Sequence, residues 1–266
     1  MLRRLAVVAL ALIAVASLAA GIATGGSREP ANARGAKVLA LTVDSAAVGR
    51  RLALRIVVPP GGGRGLLVFL HGRGVSVDHY LDDPFFKALA ALGDRAPVVA
   101  LPSGGGGSYW HDRSDGDWGR YVVKEVIPRV LERSGADSKR VAIGGISMGG
   151  FGALDLFRLY PKRFCAAGAH SPALWRTSGE TAPGAFDGAA DFSRHDVVGA
   201  ARRLRGRNLW LDAGETDPFR PGARAFAAGA RVKLRTYGGG HDDGYWNRHW
   251  DEYLRFYARQ LARCGS

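Results

Sequence analysis

The chain has 266 residues, of which 47% are hydrophobic and 23% charged, a balance that suits one large globular domain. The formal net charge is +13, but the basic residues are scattered and form no recognised nucleic-acid-binding motif, so we expect no nucleic-acid partner. The charge fits either a compositional bias toward arginine or association with a membrane or an anionic cell-envelope polymer.

The N-terminus has the pattern of an export signal. Arg3 and Arg4 precede an unbroken apolar run at 5–23, and small residues follow it. A basic, an apolar and a small-residue region in this order are typical of a signal peptide, although the apolar run is also just long enough to span a bilayer. We therefore expect residues 1–33 to be a signal peptide or N-terminal membrane anchor plus linker. The protein would then be secreted or associated with the cell envelope.

Strands and helices alternate along residues 34–266. The predicted strands are 38–43, 52–58, 65–70, 96–101, 141–144, 165–169, 209–213 and 232–237. The predicted helices are 83–92, 118–133 with a kink at Pro128, 151–160, 197–204, 223–229 and 245–263. This alternation predicts parallel βαβ units, and hence a single α/β domain whose mostly parallel central sheet carries helices on both faces.

Residues 171–196 interrupt the alternation. They form a long segment rich in glycine, alanine and small polar residues. Long irregular insertions in compact domains are often functional lids, so 171–196 is a candidate lid, with an ordinary surface loop as the alternative.

The most informative motif is Gly145-Ile146-Ser147-Met148-Gly149. It lies between a predicted buried strand and a predicted helix, and it matches the G-x-S-x-G nucleophile elbow, which raises a serine on a strained strand-to-helix turn. The glycines allow the close packing that such a turn needs. The alternative is a glycine-rich loop that contains a serine by chance.

A serine hydroxyl becomes a nucleophile only when a base takes its proton and an acid orients that base. In an open α/β sheet, both partners should lie on loops at the carboxyl ends of later strands. Asp217 follows the seventh predicted strand and His241 follows the eighth, so the order Ser147, Asp217, His241 is that of the α/β-hydrolase triad. Glu215, in the same loop as Asp217, is an alternative acid. Asp212, inside the seventh strand, is expected to be structural.

Two backbone N–H groups are predicted to form an oxyanion hole. One belongs to Met148, the residue after the nucleophile, and the other to Arg73, in the loop after the third strand. Several aromatic residues follow predicted strands near the catalytic edge, where such side chains either line a substrate pocket or pack in the ordinary way. The candidate pocket walls are Trp110, His111, Trp175 and Trp246, with Tyr109 and Tyr245 as further aromatic candidates beside them.

The two cysteines, Cys165 and Cys264, fit an exported protein with at most one disulfide. Cys165 begins a predicted strand and Cys264 closes the last predicted helix. Both positions could therefore lie at the end of the sheet opposite the elbow, and a bridge or two separate thiols are both open.

Four segments together resemble the esterase-D-type branch of the α/β-hydrolase superfamily. That branch includes S-formylglutathione hydrolases, feruloyl-type esterases and the exported antigen 85 mycolyltransferases. The segments are His71-Gly72, Gly145-Ile146-Ser147-Met148-Gly149, Gly214-Glu215-Thr216-Asp217-Pro218-Phe219 and Gly240-His241. The resemblance spans roughly residues 37–266. It implies an α/β-hydrolase fold with Ser147 as nucleophile, His241 as base and Asp217 as acid, while the glutamate of the antigen 85 enzymes keeps Glu215 as an alternative.

The sequence thus predicts an exported serine carboxylesterase that hydrolyses small-molecule or lipid esters through an acyl-enzyme. The alternatives are an envelope acyltransferase of the mycolyltransferase kind, a serine peptidase on the same fold, and a non-catalytic envelope-binding protein. No cofactor or metal is expected, because His241-Asp242-Asp243 lacks metal-ligand spacing and the loop at 103–108 lacks the lysine of a phosphate-binding loop.

Overall fold

The computed structural model describes residues 32–264. Almost all of the predicted export segment at 1–33 lies outside the described residues. Between residues 32 and 264, no helix has the length and apolar character needed to cross a bilayer.

An eight-stranded sheet forms the centre of the domain. The strands of residues 32–264 are β1 (Lys37–Ser45), β2 (Arg50–Val58), β3 (Leu66–Leu70), β4 (Val98–Pro102), β5 (Asp112–Arg113), β6 (Gly116–Asp117), β7 (Val141–Ile146), β8 (Ala166–His170), β9 (Leu209–Gly214) and β10 (Leu234–Tyr237). The sheet order is β1-β2-β4-β3-β7-β8-β9-β10, and β5 and β6 form a separate two-stranded hairpin. Strand β2 pairs antiparallel with β1 and β4, whereas all pairs from β4 to β10 are parallel.

The α-helices of the same residues are α1 (Asp83–Ala90), α2 (Trp118–Arg120), α3 (Ile127–Ser134), α4 (Met148–Leu159), α5 (Ala189–Arg194), α6 (Arg220–Ala230) and α7 (Asp243–Arg263). A π-helical segment, Tyr121–Val126, joins α2 to α3. The predicted break at Pro128 is thus a change of helical hydrogen bonding just before the proline, which has no N–H to donate.

The predicted α-helix at 197–204 was wrong. Residues 197–200 form turns, and Ala201–Leu204 is a single 3-10 turn. The N–H groups of Ala201 and Arg203 each donate to the carbonyl three residues back, which is 3-10 rather than α-helical bonding. Glycine at 199 lowers the helix propensity of the segment.

Helices cover both faces of the sheet. In β3, Leu66 and Val68 pack in the hydrophobic cluster that includes α4, whereas Leu67 and Phe69 pack in the one that includes α1 and α7. Side chains of a strand alternate between its two faces, so a strand covered on both sides must be apolar throughout. This explains the continuous apolar runs in the sequence and confirms the predicted fold class.

A buried polar network joins the sheet to α7. The Asp212 carboxylate accepts hydrogen bonds from Trp210 Nε1 and His170 Nδ1, both at 2.7 Å. It also accepts from the hydroxyls of Tyr245 and Tyr253, both at 2.9 Å. Burial, followed by the charge of Asp212, raises the pKa of both tyrosines, so their hydroxyls remain protonated donors. The expectation that Asp212 is structural agrees with these contacts.

Tyr257 extends the network between two glycines. Its hydroxyl lies 2.9 Å from Nε2 of His170, and a Cβ atom at Gly144 or Gly168 would collide with that hydroxyl. The two strands therefore need glycine where Tyr257 enters from α7.

We predict that Asp212→Ala lowers the free energy of unfolding by about 3 kcal/mol or more, because it leaves several buried donors without an acceptor. Urea unfolding followed by circular dichroism measures the change. Asp44→Ala is the matched control: the Asp44 side chain is 77% exposed, so its loss should change stability by less than about 0.5 kcal/mol. A similar small change in both variants would contradict a stabilising role for the network.

The structure joins Cys165 and Cys264 in a disulfide, with Cα atoms 6.0 Å apart and a sequence separation of 99. Cys165 lies just before β8 and Cys264 just after α7. The bridge therefore fastens the last helix to the end of the sheet opposite the elbow, which follows the carboxyl end of β7.

Replacing both cysteines by serine is expected to lower the free energy of unfolding by about 2–4 kcal/mol, because the bridge closes a long loop in the unfolded chain. Denaturant titrations of the oxidised protein and of the Cys165→Ser/Cys264→Ser variant test this. Wild-type protein in a reducing buffer should have the same unfolding midpoint as the variant. Identical unfolding midpoints for the oxidised protein and the variant would show that the bridge contributes nothing.

Candidate active site

Ser147 lies on a strained turn between β7 and α4. Its φ is +56°, a left-handed value that non-glycine residues rarely adopt. A Cβ at Gly145 would lie 2.5 Å from the backbone of Gly149 and 2.6 Å from the carbonyl oxygen of Leu70, so a larger residue does not fit. The Ser147 N–H donates to the carbonyl of His170 at 3.0 Å, which holds the turn against β8.

Ser147, His241 and Asp217 are joined by hydrogen bonds. The distance from His241 Nε2 to Ser147 Oγ is 2.9 Å, and that from His241 Nδ1 to Asp217 Oδ2 is 3.1 Å. The other carboxylate oxygen of Asp217 accepts from the N–H of Phe219 at 2.7 Å. The Asp217 side chain is fully buried, whereas that of His241 is 21% exposed. The acid is therefore fixed in place while the base remains accessible.

The loops that carry Asp217 and His241 pack directly against each other. Thr216 donates to the carbonyl oxygen of Gly239 from both its N–H and its hydroxyl, each at 3.0 Å. A Cβ at Gly214 would collide with the backbone of Gly239 and lie 2.7 Å from the carbonyl oxygen of Gly240. Glycine at 214 thus allows the two loops to approach closely enough for the acid and the base to meet.

The alternative acid, Glu215, does not reach His241. Its residue is exposed, and its backbone N–H donates to the carbonyl of Tyr237 at 2.9 Å. The structure gives the contact with the imidazole to Asp217 instead.

Two free backbone donors border Ser147. Within residues 32–264, the N–H groups of Met148 and Arg73 donate to no protein acceptor. The N–H of Gly72 is already bonded to the Tyr80 hydroxyl at 3.3 Å. A Cβ at Gly72 would lie 3.7 Å from Cβ of Ser147, which places this loop beside the serine. The two predicted oxyanion donors are thus available next to the nucleophile.

An open cleft of about 490 Å³ surrounds these residues. Its walls come from the loop after β3, the loop after β4, the segment at 171–196 and the start of α7. The lining residues are Gly72, Arg73, Val75, His79, Tyr80, Tyr109, Ser147, Ala182, Phe219, His241, Asp242, Asp243 and Trp246.

Of the four predicted pocket walls, Trp246 lines the cleft and the other three do not. The ring of Trp246 meets that of His241 edge-on, with centroids 5.2 Å apart. Trp110 is fully buried and donates from Nε1 to the carbonyl of His71 at 3.1 Å, so its prediction as a pocket wall was wrong. Trp175 is 7% exposed and packs behind Tyr109, with ring centroids 5.5 Å apart.

Of the two further aromatic candidates, Tyr245 is buried and bonded to Asp212, whereas Tyr109 lines the cleft. Tyr109 and Trp110 have positive φ values, +51° and +62°, and Tyr109 lies in the wall of the cleft while Trp110 fills the core. No pattern of hydrophobicity predicts two consecutive left-handed residues. The loop at 103–108, which is rich in glycine, gave only a general indication of a turn.

His111, the fourth predicted wall, belongs to a buried charged cluster. Its Nε2 lies 3.1 Å from Oδ2 of Asp191, and Nδ1 of His195 lies 2.7 Å from Oδ2 of Asp155. The first bond fastens the segment at 171–196 to the loop after β4, and the second fastens it to α4. The role of this segment as a lid stays a prediction.

The same cluster is where the described residues come nearest to a metal site. His111, Asp191 and His195 place ligand atoms within 4.8 Å of one another. However, Arg194 pairs with Asp191 at 2.9 Å, and Arg158 pairs with the Asp155 carboxylate. The two arginines balance the two carboxylates, so the cluster needs no cation for neutrality.

A mostly parallel sheet that carries a serine on a strand-to-helix turn, with histidine and aspartate on later loops, is the architecture of serine hydrolases of the α/β-hydrolase fold. The family model described as "Putative esterase" matches residues 45–257. The chain therefore belongs to this esterase family, which confirms the family resemblance seen in the sequence.

The individual relatives share only about a quarter of their aligned residues with this chain. The chain is 28% identical to the MPT51 antigen of Mycobacterium leprae (strain TN) over 175 residues, 65% of this chain and 56% of that protein. It is 28% identical to the iron(III) salmochelin esterase of Escherichia coli O6:H1 (strain CFT073) over 173 residues, 59% of this chain and 42% of that protein. The matches thus span about half the length of these relatives.

Among solved structures, the S-formylglutathione hydrolase of Agrobacterium tumefaciens resembles the chain with a TM-score of 0.73 at 20% identity, covering 85% of this chain and 96% of that one. This likeness establishes the shared α/β-hydrolase fold.

We predict that Asp217→Asn lowers kcat/KM for 4-nitrophenyl acetate by about 10³–10⁴-fold, because the amide no longer selects the imidazole tautomer that can accept the serine proton. Glu215→Gln is the matched control and should change kcat/KM by less than about threefold, since its side chain does not touch His241. A larger loss in the Glu215 variant than in the Asp217 variant would reverse the assignment of the acid.

Proposed function

We propose that this protein is an exported serine carboxylesterase that hydrolyses carboxylic esters through a covalent acyl-enzyme. The observation that carries the proposal is the bonding of His241, whose Nε2 lies 2.9 Å from Ser147 Oγ while its Nδ1 lies 3.1 Å from Asp217. This is the arrangement that a nucleophile, its base and an orienting acid require. Membership of the esterase family supports an ester as the substrate.

The first half-reaction acylates the serine. His241 Nε2 accepts the hydroxyl proton while Ser147 Oγ attacks the ester carbonyl carbon, and the carbonyl π electrons move onto the oxygen. The N–H groups of Met148 and Arg73 donate hydrogen bonds to that oxyanion. When the carbonyl re-forms, the bond to the leaving alkoxide breaks, and the alkoxide takes the proton from His241.

The second half-reaction frees the acid. His241 removes a proton from a water molecule, and the resulting hydroxide attacks the acyl carbon. Collapse of this second tetrahedral intermediate breaks the bond to Ser147 Oγ, which regains its proton from His241. Asp217 keeps its charge throughout and stabilises the imidazolium that forms in each half-reaction.

Two features support a site of action outside the cytosol. The first is the predicted export segment at 1–33. The second is the disulfide between Cys165 and Cys264, since such bridges persist in oxidising compartments.

The nucleophile can be tested by activity and by covalent labelling. Ser147→Ala is expected to lower kcat by more than about 10⁴-fold and to abolish labelling by a fluorophosphonate probe, because the attacking oxygen is gone. Ser138→Ala, at an exposed serine, is the control and should retain both. Unchanged hydrolysis in Ser147→Ala would refute the proposed function. Product analysis with and without an added sugar alcohol separates hydrolysis from acyl transfer.

A further inference from the structure

Arg73 places a positive charge in the catalytic cleft, and no acidic side chain of residues 32–264 pairs with it. Its residue is exposed and lines the cleft together with Ser147 and His241. In the part of the chain that the structure describes, no carboxylate pairs with its guanidinium. Many other arginines form ion pairs, such as Arg55 with Asp78 at 2.8 Å. Arg73 is therefore not held by an ion pair with any described carboxylate.

The guanidinium is nevertheless held in position. Its loop is bonded to the loop after β4 through the N–H of Gly74 and the carbonyl of Gly106, at 3.0 Å. A Cβ at Gly107 would lie 3.9 Å from Nε of Arg73, so the side chain runs along this glycine-rich loop. It also interacts with the Tyr109 hydroxyl: burial raises the pKa of Tyr109, while the charge and hydrogen bond of Arg73 oppose that rise.

The backbone of Tyr109 is strained where this residue forms the wall of the cleft. Its φ of +51° and the +62° of Trp110 are values that cost energy in non-glycine residues and persist where the surroundings impose them, often at functional sites. The strain sets the Tyr109 ring in the wall of the cleft, beside Arg73.

The acidic residues of the cleft, by contrast, are already engaged. Asp242 caps α7, and its Oδ1 accepts from the N–H of Tyr245 at 2.9 Å. Asp243 lies in the first turn of the same helix and pairs with His79 at 2.9 Å. A helix N-terminus stabilises negative charge, so both carboxylates are partly neutralised by the fold. Arg73 is thus the charge in the cleft that remains for a ligand.

We propose that the Arg73 guanidinium binds an anionic group of the substrate, a carboxylate or a phosphate, so that the preferred substrates are anionic esters. A guanidinium presents several N–H donors in one plane and matches these groups bidentately. Because the backbone N–H of the same residue borders Ser147, the anionic group would extend from the reacting ester toward Tyr109 and the loop at 103–108. The inference rests on the proposed esterase function.

A matched pair of substrates tests the proposal. Mono-4-nitrophenyl succinate carries a free carboxylate, and 4-nitrophenyl methyl succinate has the same acyl chain with that charge masked. We compare kcat/KM for the anionic ester with kcat/KM for the neutral ester. A change at Ser147 alters both values alike, so it cancels in their ratio. In the wild type at low salt we expect a ratio of about 10 or more, falling as salt screens the charge.

Substitution of Arg73 should remove this preference. We expect Arg73→Gln to lower the ratio by about 10–100-fold, as for the loss of a charged hydrogen-bond partner, and Arg73→Lys to retain part of it. Arg129→Gln, on the exposed face of α3 and away from the cleft, is the control and should leave the ratio unchanged. A wild-type ratio of one or less, or a ratio that Arg73→Gln does not alter, would overturn the proposal.

Binding measured without turnover separates this inference from the esterase activity. Succinate and inorganic phosphate are titrated into the Ser147→Ala protein by NMR, and into the same protein with Arg73→Gln. Binding that requires Arg73 supports the anion site even if neither ester is hydrolysed, and the better ligand identifies a carboxylate or a phosphate. Binding of neither anion, or equal binding to both proteins, counts against it.

Discussion

The backbone of Ser147 is the constraint on which the site depends. A non-glycine residue at positive φ costs about 1–3 kcal/mol and persists only where its surroundings fix it. Here the strand before the serine is fully buried, the helix after it packs against the same sheet, and the carbonyl of His170 accepts the Ser147 N–H at 3.0 Å. The Ala173 N–H donates in turn to the Ser147 carbonyl at 3.0 Å. The hydroxyl is therefore raised toward the cleft by the whole centre of the sheet.

The base and the acid depend on a second support, on the other side of the sheet. His241 lies two positions before α7, and the first turn of that helix is tied to Asp212 through Tyr245. Asp212 lies in β9, the strand that leads to Asp217. The buried carboxylate of Asp212 thus connects α7, which follows His241, with β9, which precedes Asp217. Buried polar networks of this kind specify one arrangement when every member is satisfied, which explains how two exposed loops hold a 3.1 Å contact.

The fold and the central residues of the site could be predicted because their causes are local. Buried parallel strands require continuous apolar runs, and the elbow requires its glycines at fixed spacing. The order of Ser147, Asp217 and His241 follows from the order of the strands before them. The family match confirms the family resemblance seen in these motifs.

The remaining features depend on tertiary contacts. Trp110 and His111 were expected in the pocket because they follow a strand, but two consecutive left-handed residues reverse the direction of the chain there. The segment at 197–204, which was expected to be helical, forms turns and one 3-10 turn instead. The choice between Asp217 and Glu215 needed the packing of Gly214 against Gly239, which no local pattern reveals.

The arginines of this chain have different roles, so the net charge of the protein does not describe the charge of its cleft. Several guanidiniums serve the fold by bonding carbonyl groups near the ends of helices: Arg207 donates to the carbonyl of Pro161, just after α4, at 2.8 Å, and Arg205 donates to the carbonyl of Gly229, in the last turn of α6, at 2.9 Å. Others, such as Arg113 with Asp187, fasten the segment at 171–196 through an ion pair of 2.8 Å. A net charge of +13 bears on solubility and long-range association rather than on specificity. In the site proposed above, specificity depends instead on the charge of Arg73, whose guanidinium pairs with no carboxylate among residues 32–264. Its backbone N–H is the proposed oxyanion donor, so one residue would serve both the reacting carbonyl and the anionic group of the substrate.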